Sequence, residues 1–315
     1  MTTDVRERLN ALGYVGGSSP RTRGDRLPDP KDAIAEYEEL KRAEALTNGG
    51  RDREAIETFQ RLVAANPRML DAWESLAKIL VKNGRTREAV AAFSKVLDLD
   101  PLKPETHLAL ARIFALEHQP ARAREHAELA LKRDPAAANE ILAELTLDAG
   151  RPSDARAFAQ HSVADDPARY MSHFLIGEIA RRQDRCDEAI GDYQKAIAAK
   201  ATDPHAIVRN LHAGLADCLA RSGRAADAER EFKEELAAIP WSPEGRTGLA
   251  TLYRSQGRDA EARVVLGGIV DAAPRADADT YWTIVHTFTV LGDTTAAGVW
   301  AAKARTKFPR DPRFR

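Results

Sequence analysis

The sequence predicts an all-α fold, organised as an α-solenoid of about eight stacked helical hairpins. The first observation is a run of prolines about 34 residues apart, interrupted once, at Pro67, Pro101, Pro135, Pro167, Pro240, Pro274 and Pro309. A period of this length marks a chain built from small repeated units. The second observation is apolar residues at helical spacing within each unit. The third is the composition, because 43% hydrophobic and 30% charged residues fit a folded helical protein.

The unit that ends at Pro101 shows the pattern most clearly. Its first helix carries apolar residues at i, i+3, i+4 and i+7, which are Trp73, Leu76, Ala77 and Leu80. Gly84 can adopt the positive φ that ends a helix. A second apolar stripe follows, formed by Ala89, Phe93 and Val96. Pro101 then stops the second helix, since proline cannot continue a helix interior.

This pattern of small and large positions resembles the tetratricopeptide repeat. Small residues occupy the eighth position of seven units, at Ala43, Ala77, Ala111, Ala143, Gly177, Ala216 and Ala250. Alanine also occupies the twentieth position, at Ala55, Ala89, Ala123, Ala155, Ala189, Ala228, Ala262 and Ala297. Such residues let paired helices approach closely. The resemblance implies a right-handed α-solenoid over residues 32–310, with units near 34–67, 70–101, 104–135, 136–167, 170–203, 205–240, 243–274 and 278–309.

Two irregularities interrupt the repeat. Unit four is two residues short, so its first helix is expected to begin directly after Pro135. About five extra residues lie between units five and six, around Ala199 to His205. They predict a longer loop or a lengthened helix at this joint.

The two ends do not follow the repeat. Residues 1–31 are rich in glycine, serine and proline after residue 15 and predict a flexible tail. Residues 9–17 (LNALGYVGG) and 29–32 (DPKD) are similar to the linker of bacterial sulfatase-like proteins with C-terminal repeat domains; the alternative is a plain disordered lead-in. After Pro309 only a short tail, 311–315, follows. Trp300 and Phe308 on the last helix are expected to pack back on unit seven; the alternative is a homodimer contact or a contact with a missing domain.

Catalytic, metal-binding and cofactor-binding motifs are absent from the sequence. Neither Cys186 nor Cys218 begins the nucleophile motif of sulfatase-like enzymes, and no phosphate-binding loop, His-Glu-x-x-His or Gly-x-Ser-x-Gly occurs. Both cysteines are interpreted as buried, inert thiols. His107, His173 and His212 share the fourth position of their units and are expected to be structural. We therefore expect no enzymatic activity, no cofactor and no metal.

Charge and hydropathy narrow the range of partners and compartments. The net charge of −1 favours neither nucleic acid nor an anionic membrane. No run of 18 apolar residues could span a bilayer, and residues 1–8 lack the apolar stretch of a secretory signal. Taken by itself, the chain is expected to be cytoplasmic. If it is a fragment of a secreted or membrane-linked hydrolase, its compartment is unknown.

The resemblance implies a binding surface for a protein or peptide. In tetratricopeptide proteins, set positions of each first helix line the concave face. Its apolar members here are Leu108, Leu116, Ile141, Leu147, Met171, Phe174 and Leu175, with Phe174 as the principal anchor; alternatively, these side chains bury one another. Its polar members are Arg112, Arg181, Arg182, Asn210, Arg221 and Arg254. Arginine suits capture of carboxylates, although Glu178 and Asp217 could neutralise part of this charge.

Three functions follow from these observations. The leading hypothesis is a non-catalytic scaffold that binds a partner segment on the concave face. The alternative is an accessory domain of a sulfatase-like hydrolase that positions its substrate or partner. RNA recognition is weaker, since it would need a basic concave face. The family's clamp for a C-terminal carboxylate is not reproduced, because Glu74 and Lys78 stand where lysine and asparagine would be.

Overall fold

The computed structural model describes residues 30–203, 206–273 and 276–314, with side chains from residue 34 onward. These residues form seventeen α-helices and one short 3₁₀ helix, and they contain no β-strand. The helices of the first half are α1 (Pro30–Asn48), α2 (Asp52–Ala65), α3 (Leu70–Lys82), α4 (Thr86–Leu99), α5 (Pro104–Leu116), α6 (Pro120–Ala130), α7 (Pro135–Asp148) and α8 (Pro152–Asp165). Those of the second half are α9 (Tyr170–Arg182), α10 (Cys186–Lys200), α11 (Leu211–Arg221), α12 (Ala225–Ala238), α13 (Pro243–Ser255), α14 (Asp259–Gly267), α15 (Ile269–Ala272), α16 (Ala278–Val290) and α17 (Thr294–Lys307).

Successive helices pair into eight hairpins. Helices α1 and α2 form the first, and α16 and α17 the eighth; α14 and its short continuation α15 share the second position of hairpin seven. The expectation of an all-α fold of about eight hairpins is confirmed. The chain divides into two compact units, Met1–Ile141 and Leu142–Arg315.

Small residues close each hairpin in both units. In the first unit the alanines at the eighth and twentieth positions have no exposed surface, as at Ala77 and Ala89. Buried aromatic rings fill the space beside them: Phe59 and Phe93 in the first unit, Tyr193 and Phe232 in the second. Adjacent helices can interlock because a small alanine side chain on one helix alternates with a bulky ring beside it.

The turn inside each hairpin passes through one residue with positive φ. Glycine supplies it in six hairpins, whereas His118 (φ 56°) and Asp184 (φ 61°) supply it in hairpins three and five. An arginine follows this residue in most hairpins and pairs with an acid three residues on, as Arg85 does with Glu88 at 2.6 Å. The acid lies in the first turn of the second helix, where it complements the helix dipole.

A recurrent hydrogen bond joins each of four hairpins to the proline that closes the previous one. The donor is the fourth residue of the hairpin and the acceptor is the carbonyl six residues earlier: Trp73 to Pro67 (2.9 Å), His107 to Pro101 (3.0 Å), His173 to Pro167 (3.3 Å) and Arg246 to Pro240 (2.8 Å). The carbonyl has no helical partner, because the helix has ended. These histidines therefore have a structural role.

Replacing Trp73 with phenylalanine is expected to lower the free energy of unfolding by about 1 kcal/mol. The change keeps an aromatic ring but leaves the Pro67 carbonyl without its N–H donor, and a net hydrogen bond contributes about that much. Urea unfolding followed by circular dichroism measures the effect. Trp241→Phe is the matched control, since Trp241 is exposed and donates no described hydrogen bond. Equal midpoints for the two variants would contradict the prediction.

The irregular joint between hairpins five and six contains a longer loop. Helix α10 ends at Lys200, and the next helix begins at Leu211; Pro204 and His205 lie outside the described residues. Asn210 precedes α11 with a positive φ of 66°. The buried carboxylate of Glu235, on α12, accepts hydrogen bonds from the backbone N–H groups of Asn210 (3.0 Å) and Ala213 (3.4 Å). An acid from the partner helix thus caps α11.

Aromatic residues of hairpin eight and of the segment after it pack against one another. Phe308 and Trp300 contact the Tyr281 ring edge-on, with centroids 5.4 and 5.9 Å away. Phe314, on the 3₁₀ helix Pro312–Phe314, is buried and packs beside them. Trp300 also lies against Gly267 of hairpin seven, where an added Cβ would be 2.9 Å from its ring. Trp300 and Phe308 thus pack back within the chain, and the homodimer expectation gains no support.

Candidate functional site

A groove of about 460 Å³ lies in the second unit, along the first helices of hairpins five, six and seven. Helix α9 contributes Glu178 and Arg181. Helix α11 and the residue before it contribute the middle of the groove, with Asn210, Asp217 and Arg221. Helix α13 forms the opposite side. These three helices are consecutive first helices, so one open surface runs across three repeats.

The floor of the groove consists of glycine and alanine backed by buried rings. A Cβ atom added to Gly214 would lie 2.5 Å from the Tyr193 hydroxyl, and one added to Gly248 would lie 2.2 Å from the Phe232 ring. Real Cβ atoms do not approach so closely, so glycine is required at both positions for the rings to pack. The same two glycines leave the floor without projecting side chains.

One wall of the groove is a hydrogen-bonded charge network around Glu178. Arg181 donates to both carboxylate oxygens of Glu178, from Nη2 at 2.7 Å and from Nε at 3.1 Å. Arg182 Nε donates at 2.8 Å, and so does the Tyr193 hydroxyl. Arg181 Nη1 also reaches Asp217 at 3.2 Å. Four N–H and O–H groups therefore hold one carboxylate, which itself is 7% exposed.

The network fixes the charge state of its members. Burial alone would raise the pKa of Glu178, but the hydrogen bonds and charge of Arg181, with those from Tyr193 and Arg182, outweigh it and lower this pKa to about 2. The hydrogen bond to Glu178 raises the pKa of Arg181. Burial, and then the charge of Glu178, raises the pKa of Tyr193. At neutral pH the wall thus holds an ionised carboxylate, a guanidinium and a neutral phenol.

Arg221 is also engaged in ion pairs at the rim. It contacts Asp217 at 3.4 Å and forms a second pair with Asp184, in the turn of hairpin five. Both partners belong to the chain itself. Arg181 and Arg221 thus pair with carboxylates of the chain itself, as expected from the sequence for part of this charge, and capture of a partner's carboxylate stays a prediction.

The opposite side, on α13, presents hydroxyl groups and one acid. Thr247, Thr251 and Ser255 each donate their hydroxyl hydrogen to the backbone of their own helix, at 2.7, 2.8 and 2.7 Å. Their oxygen lone pairs remain as acceptors. The carboxylate of Glu244 has no hydrogen bond or ion pair within the described part of the chain, and the residue is exposed.

The structure brings three of the polar residues expected on the concave face into the groove: Arg181, Asn210 and Arg221. Arg182 lies beside them on Glu178. Arg254 instead donates to the Leu291 carbonyl at 2.8 Å, across to hairpin eight. In the first unit, Arg112 pairs with Glu140 at 3.3 Å.

The apolar residues of that set fall into three environments. Leu108, Ile141 and Leu175 are buried and present almost no surface to a partner. Met171, Phe174 and Leu147 are partly buried against a cluster that contains Ala143 and Ala159. The Phe174 ring lies 6.1 Å from that of Tyr193. Leu116 alone of the seven is widely open, at 82% exposure.

The sequence reasoning missed the α13 side of the groove. Glu244, Thr247, Gly248, Thr251 and Ser255 occupy the second, fifth, sixth, ninth and thirteenth positions of unit seven. The position pattern that selected Asn210 and Arg221 would have found them. Apart from Glu244, these residues have small, uncharged side chains, which gave no chemical signal.

The two cysteines differ in environment. Cys218 is fully buried; burial and then a hydrogen bond with Cys186 raise the pKa of its thiol. Cys186 is only partly buried. Both thiols are free, and they lie in contact between hairpins five and six, an arrangement that their separation in sequence did not reveal.

Among the described residues, no cluster of three or more histidine, cysteine or acidic side chains is arranged to hold a metal ion. None of the helices in that part of the chain combines the length and the apolar character needed to cross a bilayer.

Comparison with known proteins identifies the repeat. One tetratricopeptide repeat model matches residues 40–104, 75–138 and 142–204, which together make up more than half of the chain. The chain belongs to the tetratricopeptide repeat family. A second model of the same repeat matches residues 219–284. These matches confirm the expected family; none concerns the sulfatase-like linker, which lies almost entirely outside the described residues.

Solved structures share the tetratricopeptide fold. The APC/C hetero-tetramer Cut9–Hcn1 matches with a TM-score of 0.64 at 16% identity, over 78% of this chain and 48% of that chain. PilW, a type IV pilus biogenesis factor, matches with a TM-score of 0.51 at 20% identity, over 78% of this chain and 96% of that one. This chain therefore spans about half the length of the Cut9–Hcn1 chain. No curated protein matches it.

Proposed function

We propose that this tetratricopeptide repeat chain is a non-catalytic scaffold that binds an extended segment of a partner protein in the groove on α9, α11 and α13. Tetratricopeptide proteins bind protein or peptide partners, which gives the class of ligand. The observation that carries the proposal is the groove itself, about 460 Å³ in volume, with no side chain projecting from its floor at Gly214 and Gly248. Its surface combines apolar area with polar groups, as peptide sites do.

The chemistry of the groove supports binding and not catalysis. A general acid at neutral pH needs a raised pKa, whereas Glu178 has one of about 2. A nucleophile needs a neighbouring base, but the hydroxyls of Thr247 and Thr251 donate to helix carbonyls. The polar groups of the groove are thus held by hydrogen bonds within the chain, which suits recognition of a bound peptide.

Three members of the expected concave face remain in the proposal as groove residues: Arg181, Asn210 and Arg221. The two arginines order the wall through their ion pairs. The side-chain amide of Asn210 can both donate to and accept from a peptide backbone. Phe174 is half-buried against Tyr193, and through this contact it supports the wall.

Replacing Thr251 with tryptophan is expected to fill the groove and reduce peptide binding at least tenfold. Thr251 is exposed and bonds only its own helix, so a larger side chain projects into the open volume without displacing a core residue. The measurement selects a phage-displayed random nonapeptide library on the full chain, then titrates the recovered peptides by fluorescence anisotropy.

Thr306→Trp is the matched control for the groove. Thr306 on α17 is exposed and makes the same kind of hydroxyl bond, to Ala302, away from the groove. Its variant should bind the recovered peptides as the parent chain does. Full binding by Thr251→Trp, or failure of the library to yield any peptide, would overturn the proposed function.

The alternative role, in a sulfatase-like hydrolase, rests on the tail residues alone. The two repeat models and the two solved structures described above are not named as hydrolases. Sequencing the native gene upstream of Met1 tests it directly: a reading frame that continues into a hydrolase would establish the alternative.

A further inference from the structure

The charges of the groove do not cancel. Each guanidinium of the wall and rim is paired: Arg181 with Glu178 and Asp217, Arg182 with Glu178, and Arg221 with Asp217 and Asp184. Three guanidinium groups thus face three carboxylates. Glu244, on the opposite side, is a fourth carboxylate with no described partner, so the groove carries one negative charge in excess.

Hydrogen-bond capacity is biased in the same direction. The three hydroxyl groups of α13 have already donated their hydrogens to the helix, so they offer only lone pairs to a ligand. Glu244 adds two further acceptor oxygens. The side-chain amide of Asn210, which carries no charge, offers a ligand both hydrogen-bond donors and an acceptor. A ligand rich in N–H donors therefore matches the α13 side.

The floor sets a second requirement. At Gly214 and Gly248 the surface is helix backbone, whose N–H and C=O groups are bonded within the helices, with Ala213 and Leu252 beside it. Such a surface has no polar group to offer, so it favours an aliphatic side chain, which gains free energy as it leaves water.

We propose that the groove selects a partner segment that carries a lysine or arginine next to a small aliphatic residue. The cationic side chain pairs with Glu244 and the hydroxyl oxygens of α13, and the aliphatic side chain lies on the glycine floor. This inference rests on the proposed function and specifies the partner. An acidic segment would meet Glu244 directly, and it could reach a guanidinium only by displacing an internal carboxylate.

The test uses the phage-displayed random nonapeptide library selected on the full chain and on two charge variants. Peptides recovered on the parent chain should be enriched in lysine and arginine over aspartate and glutamate, relative to the unselected library. Glu244→Lys should abolish or invert this enrichment. Glu234→Lys, the same charge change at an exposed position of α12 outside the groove, should leave it unaltered.

Titration gives the size of the effect. For a basic peptide recovered on the parent chain, Glu244→Lys should weaken binding roughly threefold to tenfold at low salt, as expected of an exposed rim charge, and high salt should reduce the difference. Glu234→Lys should change binding less than about twofold.

The outcomes separate the two proposals. Enrichment of acidic or uncharged peptides that Thr251→Trp no longer binds would overturn this inference and leave the groove as the binding site. Basic enrichment that persists with Glu244→Lys would also overturn it, since another acid would then be responsible. A library that yields no peptide on any variant would overturn both.

Discussion

Replacing Glu178 with glutamine is expected to destabilise the second unit at neutral pH by about 3 kcal/mol and to remove part of its acid sensitivity. The folded chain lowers the pKa of Glu178 from 4.5 to about 2. Each pKa unit corresponds to about 1.4 kcal/mol, so the ionised form stabilises the fold by about 3 kcal/mol. Glutamine keeps the shape but leaves Arg181 and Arg182 without the charge they face.

The pH dependence has a definite sign. Because the folded-state pKa is lower than the unfolded value, the unfolded chain binds the proton first as the pH falls. The stabilisation is complete above about pH 4.5 and is lost between there and about pH 2. The variant lacks this contribution. The two stability curves should therefore differ at neutral pH and converge toward pH 2.

Urea unfolding of parent and variant at several pH values between 2 and 7 measures the difference. Other carboxylates with lowered pKa values, such as Glu229, titrate in both proteins and cancel in the comparison. Glu234→Gln is the control, because Glu234 is exposed and unpaired in the described structure. A constant difference across the pH range would show that Glu178 acts only through shape.

The hairpins were predictable because their signal is local in sequence. An alanine at the eighth or twentieth position, or a glycine at a turn, is required by contacts within one hairpin or with the next hairpin. The structure accordingly places Ala77 and Ala89 with no exposed surface and Gly84 at a φ of 69°. Hairpins three and five show the limit, since His118 and Asp184 adopt the same turn without a glycine.

Position within the repeat selects part of the groove lining, but it does not reveal which charges in the groove are paired. Position within the repeat selected Arg181, Asn210 and Arg221, and all three line the groove. Whether an arginine is free depends on side chains from other elements, and Asp184 reaches Arg221 from a turn. Burial depends on neighbours in the same way, and Leu108 and Ile141 are buried although they hold positions that line the concave face in the repeat family.

Replacing Phe232 with alanine is expected to lower the free energy of unfolding by about 3–5 kcal/mol, the largest effect predicted for the chain. The ring is 3% exposed and packs against Gly248 beneath the groove floor. Removing it loses its transfer free energy and leaves a cavity that rigid helices cannot close. The groove would lose the support of its floor as well, so peptide binding should weaken in the same variant.

The contact between Phe232 and Gly248 can be isolated by a double-mutant cycle in which one substitution changes sign. With Phe232 present, Gly248→Ala should destabilise by about 1–3 kcal/mol, because the new Cβ would lie 2.2 Å from the ring. With Phe232→Ala the space is empty. The same Gly248→Ala should then stabilise by about 0.5–1 kcal/mol, the ordinary advantage of alanine over glycine within a helix.

Gly191→Ala on α10 serves as the reference for that advantage, since an added Cβ there meets nothing within 4 Å. It should stabilise the chain by a similar amount whether or not Phe232 is present. Urea unfolding of the parent, the single variants and the double variants supplies every term of the cycle. If Gly248→Ala has the same effect in both backgrounds, then the ring does not impose glycine at this position, and the bare floor of the groove would need another cause.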